Sequence, residues 1–264
     1  MKTMLLAVWA YRYFIISSIK TEFRSRFARS KIGGFWIVLH PLAQVLVYAL
    51  ILSQIMKAKF PQVDTEYAYP IYILSGMLAW TLFSEVLNRS LNVFISNGNL
   101  LKKISFPKLA LPLVDIGISL INFVIFAVMM FIVFGFLGHL PYHALQWLPL
   151  LTLITLALAI GIGLFLGTLN VFMRDVGQVM NIVMQFWFWL TPIVYTVTIV
   201  PEKYHTLFLL NPMTGIVSGF QNILLYDRPP DLTLLLYPFF FSIVSMMISV
   251  IVFYKAREEM TDVL

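Results

Sequence analysis

Residues 109–138 read LALPLVDIGISLINFVIFAVMMFIVFGFLG, a long apolar run whose one formal charge, Asp115, lies near its start. A helix rises about 1.5 Å per residue and the hydrocarbon core of a bilayer is about 30 Å thick, so roughly 20 such residues cross it. The stretch reads as a membrane-spanning helix rather than a soluble core. Outward from it the same reading recurs. Residues 32–56, 67–95, 145–173, 176–195 and 232–254 are each apolar and nearly free of charge, and the short segments between them hold most of the Lys and Arg. The expected fold is all-α, one polytopic transmembrane domain of six spans over residues 1–264.

Composition narrows the function. At 60% hydrophobic and 11% charged residues, the chain keeps little length for a soluble domain and no room for a nucleotide-binding one. It has no G-x-x-x-x-G-K-[ST] phosphate loop, so any ATP hydrolysis that drives it belongs to another subunit. There is no cysteine, which excludes disulfides, thiolate catalysis and cysteine metal sites. His139 and His143 have the spacing of a helical metal pair, but Pro141 lies between them and no carboxylate is close in sequence, so no metal site is assigned. The formal charge of +6 sits at the ends of spans and forms no solvated stripe, which points to membrane orientation and away from nucleic acid. The first apolar run, residues 4–19, is broken by Arg12 and lacks a small-residue cleavage site. It is read as retained.

Before the first span, residues 1–31 set Ile16, Ile19, Phe23 and Phe27 at helical spacings against Lys20, Arg24, Arg26, Arg29 and Lys31 on other faces. That pattern predicts an amphipathic helix lying in the membrane interface, apolar side toward the acyl chains and basic side toward anionic headgroups. In the second span Glu85 and Arg89 stand four apart and can neutralise each other on a helix, a structural pair near the interface. In the fourth span Gly161, Gly163 and Gly167 offer small surfaces for close helix packing. Residues 96–108 (SNGNLLKKISFPK) form a compact basic connector with Asn97-Gly98 as a turn signal and Phe106-Pro107 as a stop. Within residues 196–231 the uncharged run 207–226 is long enough to suggest a seventh crossing, yet it contains Asn211-Pro212, Gly215, Gly219, Gln221 and Asn222. Short broken helices entering from one side suit them better.

On the six-span plan fourteen of the eighteen Lys and Arg fall on the side of the termini and four, Lys57, Lys59, Lys203 and Arg228, on the other. Both termini are therefore expected in the cytoplasm, with 196–231 on the periplasmic side.

Five motifs in order, SKIGGFWIVLHPLAQ after the basic helix, NLLKKISFPKLALP, FMRDVGQV, FWLTPIVY and LNPMTGIV, resemble those of ABC-2-type permeases. The chain looks like the transmembrane subunit of polysaccharide exporters, the group of O-antigen, capsule and teichoic-acid permeases. The resemblance spans nearly the whole chain. It implies a homodimer enclosing a channel, with two ATP-binding-cassette subunits that bind ATP and Mg beneath it and no cofactor on this chain. It also implies that the connector is the coupling helix, with Asn97, Leu100, Leu101, Lys102, Lys103 and Ile104 seated on the ATPase. The cargo implied is an undecaprenyl-diphosphate-linked glycan in a bacterial inner membrane, whose diphosphate and neighbouring headgroups would meet Arg24, Arg26, Arg29 and Lys31 through charge-assisted hydrogen bonds.

Aromatic residues form a second set. Phe35, Trp36, Tyr48, Trp80, Phe83, Phe186, Trp187, Phe188, Trp189 and Tyr195 suit interfacial belts and packing. For a sugar polymer, Trp36, Tyr48, Trp187 and Tyr195 are the candidate channel rings, since stacking on apolar sugar faces demands no single hydrogen-bond pattern. The alternatives are an ABC-2 exporter of a small lipid or drug, a membrane-embedded transferase and a free-standing secondary transporter or channel. The transferase would need a cluster of carboxylates or histidines on one loop, which the sequence lacks. The transporter is disfavoured by few intramembrane ionisable groups and no evident inverted repeat.

Overall fold

The computed structural model describes residues 11–27, 67–98 and 110–263, together with positions 39, 42, 43 and 47. The expected first span (32–56), and with it Trp36 and Tyr48, falls outside the described residues apart from those four positions. So do Arg29, Lys31 and residues 99–109, which include Leu100, Leu101, Lys102, Lys103 and Ile104.

Nine α-helices and three 3-10 turns make up the described residues. They are α1 (Arg12–Phe27), α2 (Ala68–Ser96), α3 (Ala110–Phe136), α4 (Leu148–Phe172) after the turn Leu145–Trp147, and α5 (Asp175–Trp189). The turns Val197–Ile199 and Glu202–Tyr204 lead to α6 (His205–Leu209), α7 (Pro212–Leu224), α8 (Leu232–Ala256) and α9 (Met260–Val263). Four segments, Ala68–Ser96, Ala110–Phe136, Leu145–Phe172 and Leu232–Ala256, are long and apolar enough to cross a bilayer. They match four of the six expected spans to within two residues at each end.

Helix α2 is the axis of the bundle. In its most apolar stretch 83% of the residues are buried within the protein, against 22% for α8, which turns most of its surface outward. Helix α2 is the least hydrophobic of the four long helices, and packing by α3, α4 and α7 keeps its polar groups away from lipid. Helix α4 lies between α2 and α8, and its small residues are what let both approach. A methyl at Gly163 would stand 2.6 Å from the Ser90 Cβ, one at Gly167 would strike the Ser90 carbonyl oxygen, and one at Gly161 would strike Ser245 on α8. The main core gathers Phe83 of α2, Phe134 of α3 and Phe220 of α7, all fully buried. A smaller cluster at the other end stacks Phe94 on Phe253 at 5.5 Å and takes in Met260, so the C-terminal turn folds back beneath the bundle.

The helix ends follow local chemistry. Asn211 accepts from the Met213 N–H with Pro212 at the first helical position, and Asp231 accepts from the Thr233 N–H, capping α7 and α8. The Thr233 hydroxyl and N–H hold the Asp231 carboxyl below its usual range, so the cap is charged at neutral pH. Gly138, with φ +72°, closes α3 in the left-handed region.

Two expectations change. The fifth span, expected over 176–195, is a helix of 15 residues ending at Trp189. At 1.5 Å per residue the helix itself reaches about 22 Å, and residues 190–195 continue the segment as non-helical chain. Pro192 offers no N–H and disfavours helix at Thr191, and side chains from α2 and α7 hold the chain open beyond it. In α1, which packs on α3, Arg12, Ile15, Ser18, Ile19, Glu22 and Phe23 are half-buried, so Ile19 and Phe23 of the expected stripe pack inward while Ile16 faces outward. Glu22, on the same side, reaches an arginine on α2. Residues 196–231 form short helices as expected, the longest being the 13-residue α7.

Candidate functional site

Two polar assemblies interrupt the apolar bundle. The first lies toward the end of α2 that leads into the connector. Arg89 is 19% exposed, and its Nε donates to Glu85 Oε1 at 2.9 Å while Nη1 donates to Glu22 Oε1 at 3.3 Å and Asp115 Oδ1 at 3.5 Å. Asn122 on α3 donates to the same Glu85 oxygen at 2.6 Å. Arginine suits this position because its planar fork presents several donors at fixed angles and stays charged. The pair Glu85–Arg89, legible from its spacing, is one edge of a larger node joining the interface helix, α2 and α3. Glu22, 67 positions away, enters it only through the packing of α1 on α3.

The second assembly surrounds the unwound stretch after α5. Tyr72 donates its hydroxyl to the carbonyls of Pro192 (3.2 Å) and Tyr195 (3.0 Å), Tyr69 to that of Val194 (2.9 Å), and Gln221 its amide to Pro192 (3.0 Å). Asn211 Nδ2 donates to the Leu190 carbonyl and the Thr191 hydroxyl, and its Oδ1 accepts from the Trp187 indole at 2.8 Å. Backbone at membrane depth without helical bonds is tolerated only when such partners exist. Tyr69, Tyr72, Asn211 and Gln221 therefore build an irregular segment into the membrane domain. Of these, Asn211 and Gln221 carried a sequence signal, as a helix-stop pair with Pro212 and as a polar residue in an uncharged run.

The expected site residues divide between these places. Asn97 ends α2, its amide donating to the Val93 carbonyl at 2.9 Å, and so marks where the connector leaves the bundle. Arg24 is exposed on α1, and Arg26 lies in the same helix. Trp187 is half-buried, edge-on to Phe83 with centroids 5.1 Å apart, and Tyr195 is half-buried, edge-on to Phe208 at 6.1 Å with its hydroxyl donated to the Trp189 carbonyl. The structure brings Trp187 and Tyr195 to the same unwound stretch and gives both polar atoms partners within the chain. On the outer side of α5, Gln178, Asn181 and Gln185 are exposed at helical spacings beside Phe186 and Trp189.

An all-helical bundle with four helices long and apolar enough to cross a bilayer defines a multi-pass membrane protein. The chain belongs to the ABC-2 type transporter membrane family, whose model matches residues 13–225. It is 28% identical over 257 residues, 97% of this chain and 96% of the relative, to the O-antigen export system permease protein RfbA of Myxococcus xanthus. An RfbA of the same description from Klebsiella pneumoniae is 26% identical over 76% of each chain. The polysialic acid transport protein KpsM of Escherichia coli is 24% identical over 90% of this chain and 91% of its own.

Proposed function

We propose that the chain is the channel-forming permease of an exporter that moves a lipid-linked polysaccharide, O-antigen-like, from cytoplasm to periplasm across a bacterial inner membrane. The observation that carries this reading is the similarity to O-antigen permeases over 97% of the chain. Two copies enclose the channel, and two ATP-binding-cassette subunits, which bind ATP and Mg, supply the energy. The amides of Gln178, Asn181 and Gln185 support this arrangement. Exposed amides on a membrane helix favour a wet channel or a partner over acyl chains, because an unsatisfied polar group in hydrocarbon is costly. Phe186 and Trp189 beside them, with Trp36, Tyr48, Trp187 and Tyr195, offer ring surfaces for sugars. Arg24, Arg26, Arg29 and Lys31 meet the diphosphate at the cytoplasmic face.

In this reading Lys102 and Lys103 pair with acidic groups on the ATPase while Leu100, Leu101 and Ile104 anchor the contact beside Asn97. Loss of the gene is expected to deplete surface polysaccharide and leave lipid-linked glycan inside. Restoring it with Lys102→Glu and Lys103→Glu together should return the protein to the membrane without returning export or cargo-stimulated ATP hydrolysis. Unchanged surface polymer after gene loss overturns the cargo, and normal export by the double variant overturns the coupling assignment.

A further inference from the structure

Helix α5 presents two unlike faces. Met180 and Met184 pack inward, while Gln178, Asn181 and Gln185, spaced by three and four, share the opposite face and are exposed. Trp189 continues the same row, 64% exposed, and Arg174 begins it at the turn before the helix. From Arg174 to Trp189 the row runs about 22 Å at 1.5 Å per residue. None of the three amides is hydrogen-bonded within the described residues.

The outward faces of the long helices differ from this one. The exposed mid-span residues of α3 and α8 are apolar, among them Val124, Val128 and Ile132 on the first and Val244, Met247 and Ile251 on the second. Three unbonded amides in a row against acyl chains would each give up water with nothing in return. The row therefore meets water or a polar ligand.

A buried residue fixes its direction. Asn170 on α4 donates its amide to the Leu91 carbonyl at 3.2 Å and accepts from the Gly177 N–H at 3.0 Å, which pins the first turn of α5 to the connector end of α2. Arg174 thus stands where the connector leaves the bundle, and Trp189 at the unwound stretch beyond α5.

Charge is the property that selects a ligand here. Arg174 and Asp175 are adjacent and both exposed, so the near end has no net charge, and past Asp175 nothing on α5 is ionisable. Residues 32–56, which hold Trp36 and Tyr48, contain no Asp, Glu, Lys or Arg either. Pores that pass anions carry rings of Arg or Lys, and this path has none beyond its mouth. Primary amides donate and accept at once, which suits hydroxyl groups, and an indole adds a face for stacking. Resting on the permease reading, we propose that Gln178, Asn181, Gln185 and Trp189 form the track along which the glycan moves, and that they select a glycan whose repeating unit is uncharged.

The test begins with the surface polymer that disappears when the gene is deleted. Its repeating unit should contain no uronic acid, sialic acid or phosphodiester. A charged repeating unit would overturn the charge selection and leave the permease reading standing, whereas an unchanged surface would overturn the permease reading and the track with it. Asn181→Leu with Gln185→Leu should lower surface polymer about tenfold at parental membrane abundance, the factor expected for two lost hydrogen bonds. Undiminished polymer would mean that the amides do not touch the glycan. The chain has no cysteine, so Asn181→Cys and Gln185→Cys each carry a lone reporter. In open membrane fragments both should react with a charged, water-soluble maleimide about tenfold faster than Val128→Cys on α3, since a thiol in hydrocarbon stays protonated and out of reach. Equal slow reaction would assign the row to lipid, and spontaneous cross-linking to a second copy would assign it to a contact between copies. Either result overturns the track.

Discussion

Asn211 makes four side-chain hydrogen bonds, to Trp187, Leu190, Thr191 and the Met213 N–H, and so ties the end of α5 to the start of α7. Each such bond is worth about 1 kcal/mol net, and stranding several buried groups at once costs more. Asn211→Ala is therefore expected to lose about 2–4 kcal/mol, whereas Trp187→Phe, which keeps the ring against Phe83 and removes one donor, should lose about 1 kcal/mol. Thermal unfolding in detergent checks the ratio, and equal losses would show that the single Trp187–Asn211 bond, not the full set at Asn211, holds the junction. Arg89 plays the corresponding part at the other end. The i,i+4 spacing made its Glu85 bond legible, but Glu22 and Asp115 reach it from other helices and no spacing rule links them. The same holds for Tyr69 and Tyr72, whose hydroxyls find their partners only when the chain at 192–195 is packed against α2.

Helix α4 shows how an element's composition sets its neighbours. Gly163 and Gly167 touch α2 while Gly161 touches α8, so the three glycines divide between two interfaces. Gly167→Ala must push against the carbonyl oxygen of Ser90, backbone that cannot turn aside, and overpacking of this kind costs about 1–3 kcal/mol. At Gly135 on α3 an added methyl would meet nothing within 4 Å, so Gly135→Ala should stay within about 1 kcal/mol of the parent and lean toward stabilising. Unfolding temperature and membrane abundance of the two variants should move apart. A similar loss in both would mean that the α2–α4 contact is looser than the geometry gives. Helix α5 behaves in the opposite way. Its apolar content runs past Trp189, but Pro192 and the ring of hydrogen-bond donors around residues 190–195 end it early.

At the scale of the molecule, the placement of residues 196–231 decides the topology. None of the helices there is long enough for a crossing, and α7, the longest, has its flanks on the α2 and α8 side of the bundle. Asp227 also accepts from the backbone N–H groups of His143 and Ala144, which ties the loop before α8 to the loop between α3 and α4. Both loops then share one side of the membrane. Reporter fusions at Asp227 and Asp262 are expected to lie on opposite sides, with α8 the single crossing between them. The same side for both would require a further span within 196–231.

What the sequence determined by itself is everything that depends on counting apolar residues along a line. The burial of a span in lipid is a local free energy, roughly additive over its own side chains, so four spans, the short helices of 196–231 and the glycine contacts of α4 were readable before any packing was known. Tertiary structure decided the rest. Which face of α1 packs, where α5 stops and which groups meet Arg89 all depend on polar partners far apart in the chain. In a low-dielectric interior those partners must be found or the group is costly, and only the folded arrangement says where they are.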